Sequence, residues 1–123
     1  MRFVITKLVS FTARKLAKLI AHFASNKKAE DIVVLDMRKV ANFCDYFVIC
    51  SGNSDRQIKA IAKGIEEGLY DQGQSVRHKQ GLNEGRWVVI DLGTVVVHVF
   101  DKERREFYGL DYLWQEAKHV NWS

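Results

Sequence analysis

The sequence predicts an α+β domain of mixed layers, in the order helix, two strands, helix, three strands and a short helix. Three observations carry that reading. Residues 12–26 and 54–73 repeat apolar side chains at helical spacing. Two continuous apolar runs, at 31–37 and 44–51, have the length of strands. The segment RWVVIDLGTVVVHVF at 86–100 is two further apolar runs joined at Gly93-Thr94, and a two-residue connection with glycine first suits a type II′ hairpin.

Residues 1–11 read as an N-terminal extension ahead of a helix that begins near Thr12. In that helix Leu16, Leu19, Ile20 and Phe23 form one stripe while Arg14, Lys18 and His22 fall at steps of four elsewhere on the cylinder. Lys27 and Lys28 near its C-terminal end suit the helix dipole. DIVVLDM at 31–37 reads as a strand covered on both faces, and CDYFVICS at 44–51 as its neighbour. The linker at 39–43 is too short for a crossover helix, so the two strands should be antiparallel. Ser54 followed by Gln57 makes a capping box, and Ile58, Ile61, Ala62, Ile65 and Leu69 then mark one helix face running toward Gly73. SVRHKQ at 75–80 reads as an edge strand, its Arg77 and Lys79 discouraging further pairing.

A hairpin closed at Gly93-Thr94 sets Leu92 opposite Val95, Ile90 opposite Val97 and Val88 opposite Val99, an aliphatic face built for burial. The other face pairs Asp91 with Val96, Val89 with His98 and Trp87 with Phe100. After the hairpin, 101–114 reads as a turn or two of helix carrying Phe107, Tyr108, Leu110, Leu113 and Trp114. Residues 116–123 read as a C-terminal tail.

At 123 residues the chain can bury one core without staples. It has no proline and no low-complexity stretch, and its apolar runs are far too short to cross a bilayer. Cys44 and Cys50 lie six apart in one expected strand, roughly 20 Å at about 3.3 Å per residue, so they should be free thiols. The net charge of +4 is uneven: residues 1–29 hold seven basic side chains and no acidic one, leaving 12 basic against 15 acidic for the rest. Such a basic N-terminus suits a polyanion such as RNA, through Arg14, Lys15 and Lys18, or a solvated helix face. It also fits an organellar transit peptide. Against that, the helix leads directly into the first strand, which favours the cytoplasm of a bacterium over an organellar matrix or stroma.

Residues suited to catalysis are present without a constellation. Asp91 and His98 are only a diagonal pair roughly 7 to 8 Å apart, with no nucleophile beside them. The histidines and cysteines lack metal-ligand spacing, and Asp101 with Glu103 lacks flanking apolar strands; no metal or cofactor is expected. The strand-to-helix turn SGNSDRQ at 51–57, with Ser51, Ser54 and Gln57, could cap a helix or hold an anion, but it has one glycine and no P-loop lysine. By contrast Trp87, Phe100, Phe107, Tyr108, Tyr112 and Trp114 crowd the last third, beside Arg105, and these are residue types that anchor interfaces.

KKAEDIVVLDMR at 27–38, DYFVICSGNSDRQ at 45–57, RWVVIDLGTVVVHVF at 86–100 and REFYGLDYLW at 105–114 closely resemble the ribosomal silencing factor family, also called the Iojap family. The resemblance spans roughly residues 12–115. It implies a mixed sheet with helices, similar to nucleotidyltransferases but without their glycine-serine turn and flanked carboxylates. It implies a non-catalytic protein that binds the fourteenth protein of the large ribosomal subunit, blocks subunit joining and lowers translation when nutrients are scarce. On that reading the docking face is Trp87, Val89, Asp91, His98 and Phe100, extended by Arg105, Phe107, Tyr108, Leu110 and Trp114, with weak rRNA contact from the first helix. Two alternatives stay open: a nucleotide-binding or nucleotidyltransferase-like enzyme using the 51–57 turn, and a homodimer joined through a self-complementary aromatic face.

Overall fold

The computed structural model describes residues 11–123. Helix α1 (Ala13–Asn26) starts where Thr12 Oγ1 accepts from the Lys15 amide at 3.2 Å. It buries Leu16, Ala17, Ile20, Ala21 and Ala24, so of the expected stripe Leu16 and Ile20 are buried while Leu19 and Phe23 are half-buried. Strands β1 (Glu30–Asp36) and β2 (Tyr46–Gly52) pair antiparallel, as the short linker requires. Helix α2 (Asp55–Asp71) buries Ile58, Ile61, Ala62, Ile65 and Leu69. It ends in a Schellman turn in which Gly73 takes φ +71° and the Gln74 amide donates to the Leu69 carbonyl at 2.9 Å.

Strands β3 (His78–Gln80), β4 (Trp87–Asp91) and β5 (Val95–Asp101) complete the hairpin region, followed by α3 (Lys102–Tyr108), the single turn α4 (Leu110–Leu113) and β6 (Lys118–His119). The six strands form one sheet in the order β3-β4-β5-β2-β1-β6. The hairpin register is the one read from the sequence, with Val88 opposite Val99, Ile90 opposite Val97 and Gly93 at φ +90°. β5 then lies parallel to β2, which makes the sheet mixed. Helices α1 and α2 cover one face, packing on Val34, Val48, Val88, Ile90, Val95, Val97 and Val99.

Four expectations change. The strand buried along its whole length is β2, whereas β1 lies second from the edge and is half-covered at its start. Cys44 precedes β2 rather than lying in it, although both thiols are buried and free; desolvation pushes Cys44 up to about 11 and Cys50 up to about 12. The edge strand is only three residues, because pairing begins at His78 opposite Asp91. Residues expected to form a tail instead close the far edge of the sheet: Lys118 and His119 pair with Asp36 and Leu35, and Ala117 and Val120 are buried.

Candidate functional site

The sheet face away from α1 and α2 carries a second core. On it Phe47 and Ile49 of β2, Phe100 of β5, Leu35 of β1, Met37, Cys44 and Ala117 are buried, with Trp87, Leu110 and Trp114 packed against them. Among the described residues this face is covered by the loop after β1, α3, α4 and the chain leading to β6, and its aromatic rings continue outward to exposed positions. Trp87 stacks on Phe100 with ring centroids 4.8 Å apart and meets Tyr108 at 4.6 Å. Phe43 meets both Phe47 and Trp114.

His98 sits inside this layer with 7% of its surface exposed. Its Nδ1 accepts the indole N–H of Trp87 at 3.2 Å, so the neutral ring carries its proton on Nε2. That Nε2 is buried without a hydrogen-bond partner among the described residues, and the Phe47 ring stands edge-on 4.7 Å away. Burial lowers the imidazole pKa to about 4.

The expected docking face therefore divides. His98 and Phe100 are core, because the Trp87 ring lies against both and the Phe47 ring stands beside His98, and neither is presented to a partner. Asp91 is the last residue of β4 and its Oδ1 accepts the Gly93 amide of the turn at 2.7 Å, and Val89 and Trp87 are half-buried. Asp91 and His98 make no dyad, since each is bonded elsewhere. Leu110 and Trp114 pack down on the core. What stands clear is a ridge of Phe107 (80% exposed), Tyr108, Tyr112 (75%) and Leu113, with Phe43 (57%) across from Trp114. Phe43 carries no periodic signal, being a lone aromatic in a loop, and sequence reasoning passes over it.

Arg105 is also not a surface anchor. Its side chain is 12% exposed and forks over Asp111, with Nε donating to Oδ1 at 3.0 Å and Nη2 to Oδ2 at 2.9 Å. Nη1 donates to the Asp31 carbonyl and to Ser51 Oγ, both at 2.8 Å. Neither α3 nor α4 contains a buried residue, so this guanidinium ties the aromatic ridge to the ends of β1 and β2. The same bonds hold the Asp111 carboxyl below its ordinary range.

The 51–57 turn is occupied by its own side chains. Ser51 is buried under Arg105, and Ser54 Oγ accepts the Gln57 amide at 3.1 Å. The returning arm of the capping box goes one residue further back than expected, to the Asn53 amide, while Gln57 Nε2 donates to the Lys28 carbonyl at 3.1 Å. Asp101 caps α3, and among the described residues no three His, Cys, Asp or Glu side chains gather as metal ligands. Arg14 and Lys15 are exposed and Lys18 half-exposed on α1, in the layer opposite the aromatic ridge. No helix among the described residues is long and apolar enough to cross a membrane.

A family model described as "Ribosomal silencing factor during starvation" matches residues 10–123. The chain is 45% identical over 104 residues to the ribosomal silencing factor RsfS of Bacillus subtilis, covering 85% of this chain and 88% of that one. It is 33% identical to the chloroplastic protein Iojap of Zea mays, covering 82% of this chain but 44% of the longer plant protein. Two crystal structures share the fold. A Chromobacterium violaceum protein superposes with TM-score 0.83 at 30% identity over 85% of this chain and 88% of its own. A Bacillus halodurans protein does so with TM-score 0.78 at 40% identity over 88% and 98%.

Proposed function

The chain belongs to the ribosomal silencing factor family, a family of regulatory proteins, and from that premise we propose that it represses translation by docking on the large ribosomal subunit. The observation that carries the reading is the aromatic ridge. Five of the six large exposed apolar groups among the described residues, Phe43, Phe107, Tyr108, Tyr112 and Leu113, stand above the second core, with Tyr70 of α2 the exception, and such a gathering on a small domain marks a partner surface. The partner is the fourteenth protein of the large subunit, on the face that meets the small subunit, and occupation of that face prevents subunit joining when nutrients are limiting. Arg14, Lys15 and Lys18 add a salt-sensitive contact to rRNA from the helix layer. The protein works in the cytoplasm without a cofactor.

Sedimentation with purified large subunits tests this. Wild-type protein should travel with the subunit, and a Phe107→Ser/Tyr108→Ser variant should lose association by tenfold or more, on the order of 1.4 kcal/mol or greater, while remaining folded because neither residue is buried. Unchanged co-sedimentation of the folded variant would move the docking site elsewhere. Light scattering of the same pair shows whether the ridge also joins two free copies.

A further inference from the structure

The helix layer holds a second cluster of exposed basic side chains, at the opposite end of α1 from Arg14, Lys15 and Lys18. α1 and α2 lie side by side and antiparallel: a Cβ on Gly68 would meet the Phe23 ring at 2.6 Å, and one on Gly64 would meet Lys27 Cγ at 2.7 Å. The C-terminal end of α1 is thereby placed against the middle of α2, and the Lys28 carbonyl accepts from Gln57 Nε2 in its first turn. Arg56 and Lys63, seven apart, share the outer face of α2 at that same end. All of Lys27, Lys28, Arg56 and Lys63 are exposed. Residues 12–29 and 53–65 together carry eight basic side chains and one acidic one, Asp55, with Glu30 and Asp31 following the first segment and Glu66 and Glu67 the second. None of the four cluster cations has a carboxylate within 4.0 Å among the described residues, a state they share with Arg14, Lys15 and Lys18.

The backbone supplies an independent sign. α1 ends in a Schellman turn, with the Lys28 amide donating to Ser25 and the Ala29 amide to Ala24. The left-handed position of that turn, which favours glycine, is held by Lys28 at φ +67°. A strained conformation kept by a charged residue at the centre of a charge cluster points to a use for its side chain.

We infer that Lys27, Lys28, Arg56 and Lys63 form a binding site for the phosphodiester backbone of RNA. RNA fits better than an acidic protein segment: four exposed cations spread over two helices match a repeating backbone charge. The inference rests on the reading that the protein works on the ribosome and adds a contact on the layer opposite the aromatic ridge.

The test measures binding of the full chain to a short labelled RNA hairpin by fluorescence anisotropy across a salt series, with no ribosome present. Charge removal at all four positions, to glutamine, should lower affinity at least tenfold at low salt and flatten the dependence of log K on log salt by roughly 0.7 to 0.9 per removed cation. Lys28→Gly should flatten it by about one cation's worth while the melting temperature stays or rises, because glycine relieves the left-handed residue. A Phe107→Ser/Tyr108→Ser variant should bind the hairpin as wild type does, which separates this site from the docking ridge. An unchanged salt slope in the quadruple variant, or equal competition by polyglutamate, would overturn the assignment.

Discussion

The indole N–H of Trp87 is bonded to Nδ1 of His98, 3.2 Å away, and this one bond orients the ring that carries the aromatic face from core to surface. It also fixes the imidazole as a neutral acceptor in a site too dry to hold its charge. Above pH 6.5 neither folded nor unfolded chain protonates His98. Between 6.5 and about 4 only the unfolded chain does, so stability falls as pH falls, by up to about 3 kcal/mol. Asp36, held down to about 2 mainly by Arg38, contributes stability that is lost only below its ordinary 3.8. His98→Asn keeps an acceptor for Trp87 and removes the titration. Urea unfolding at pH 4.5 and 7 should show the wild type losing much more stability than the variant; equal losses would contradict the account.

Arg105→Lys should loosen the ridge without unfolding the sheet. A lysine cannot reproduce the fork on Asp111 together with the bonds to Ser51 and the Asp31 carbonyl, and losing a buried guanidinium's geometry costs on the order of 3 kcal/mol. Hydrogen exchange is the direct readout. Amides of 102–113 should exchange faster while those of α2 keep their protection, and uniform acceleration would mean the clamp supports the whole fold.

Two glycines of α2 should answer alanine in opposite directions. At Gly64 the new methyl meets only the flexible Lys27 chain, so higher helix propensity wins and stability rises by up to ~1 kcal/mol. At Gly68 it meets the Phe23 ring at 2.6 Å, and the helices must separate or the ring leave its site, at a cost of about 1 to 3 kcal/mol. Thermal melts of the two variants should shift to opposite sides of wild type.

What the sequence made legible was local. Gly93-Thr94 fixes a hairpin register because a two-residue turn leaves no slack, and Ser54 marks a helix start because its hydroxyl answers an amide three residues on. The parallel pairing of β2 with β5 was not legible, since it joins segments some fifty residues apart and no local pattern names the neighbour. The period of two put His98 and Phe100 on the face opposite the aliphatic one, but it cannot say what closes over them. Arg105 resembled an interface anchor for the same reason: its partners at Asp31, Ser51 and Asp111 are brought together only by the fold.

The segment after α4 escaped the sequence reading because Lys118 and His119 show no apolar alternation, yet it crosses the sheet edge and joins the two cores. Ala117 packs with the aromatic face and Val120 with the helix face, while the Val120 amide donates to Val34 at 2.8 Å. Trp122 donates its indole N–H to the Ile32 carbonyl at 3.3 Å and stands edge-on to His22 of α1. A chain ending at Glu116 should therefore lose about 3 to 5 kcal/mol, the sum of emptied core sites and broken edge bonds. It should also self-associate, because β1 becomes an open apolar edge. Trp122→Phe, which keeps the ring and removes only the N–H, should cost about 1 kcal/mol. Urea unfolding with light scattering decides between the two roles: a truncated chain as stable and as monodisperse as the full one would make the segment an appendage, and a graded loss makes it the sixth strand in energy as well as in geometry.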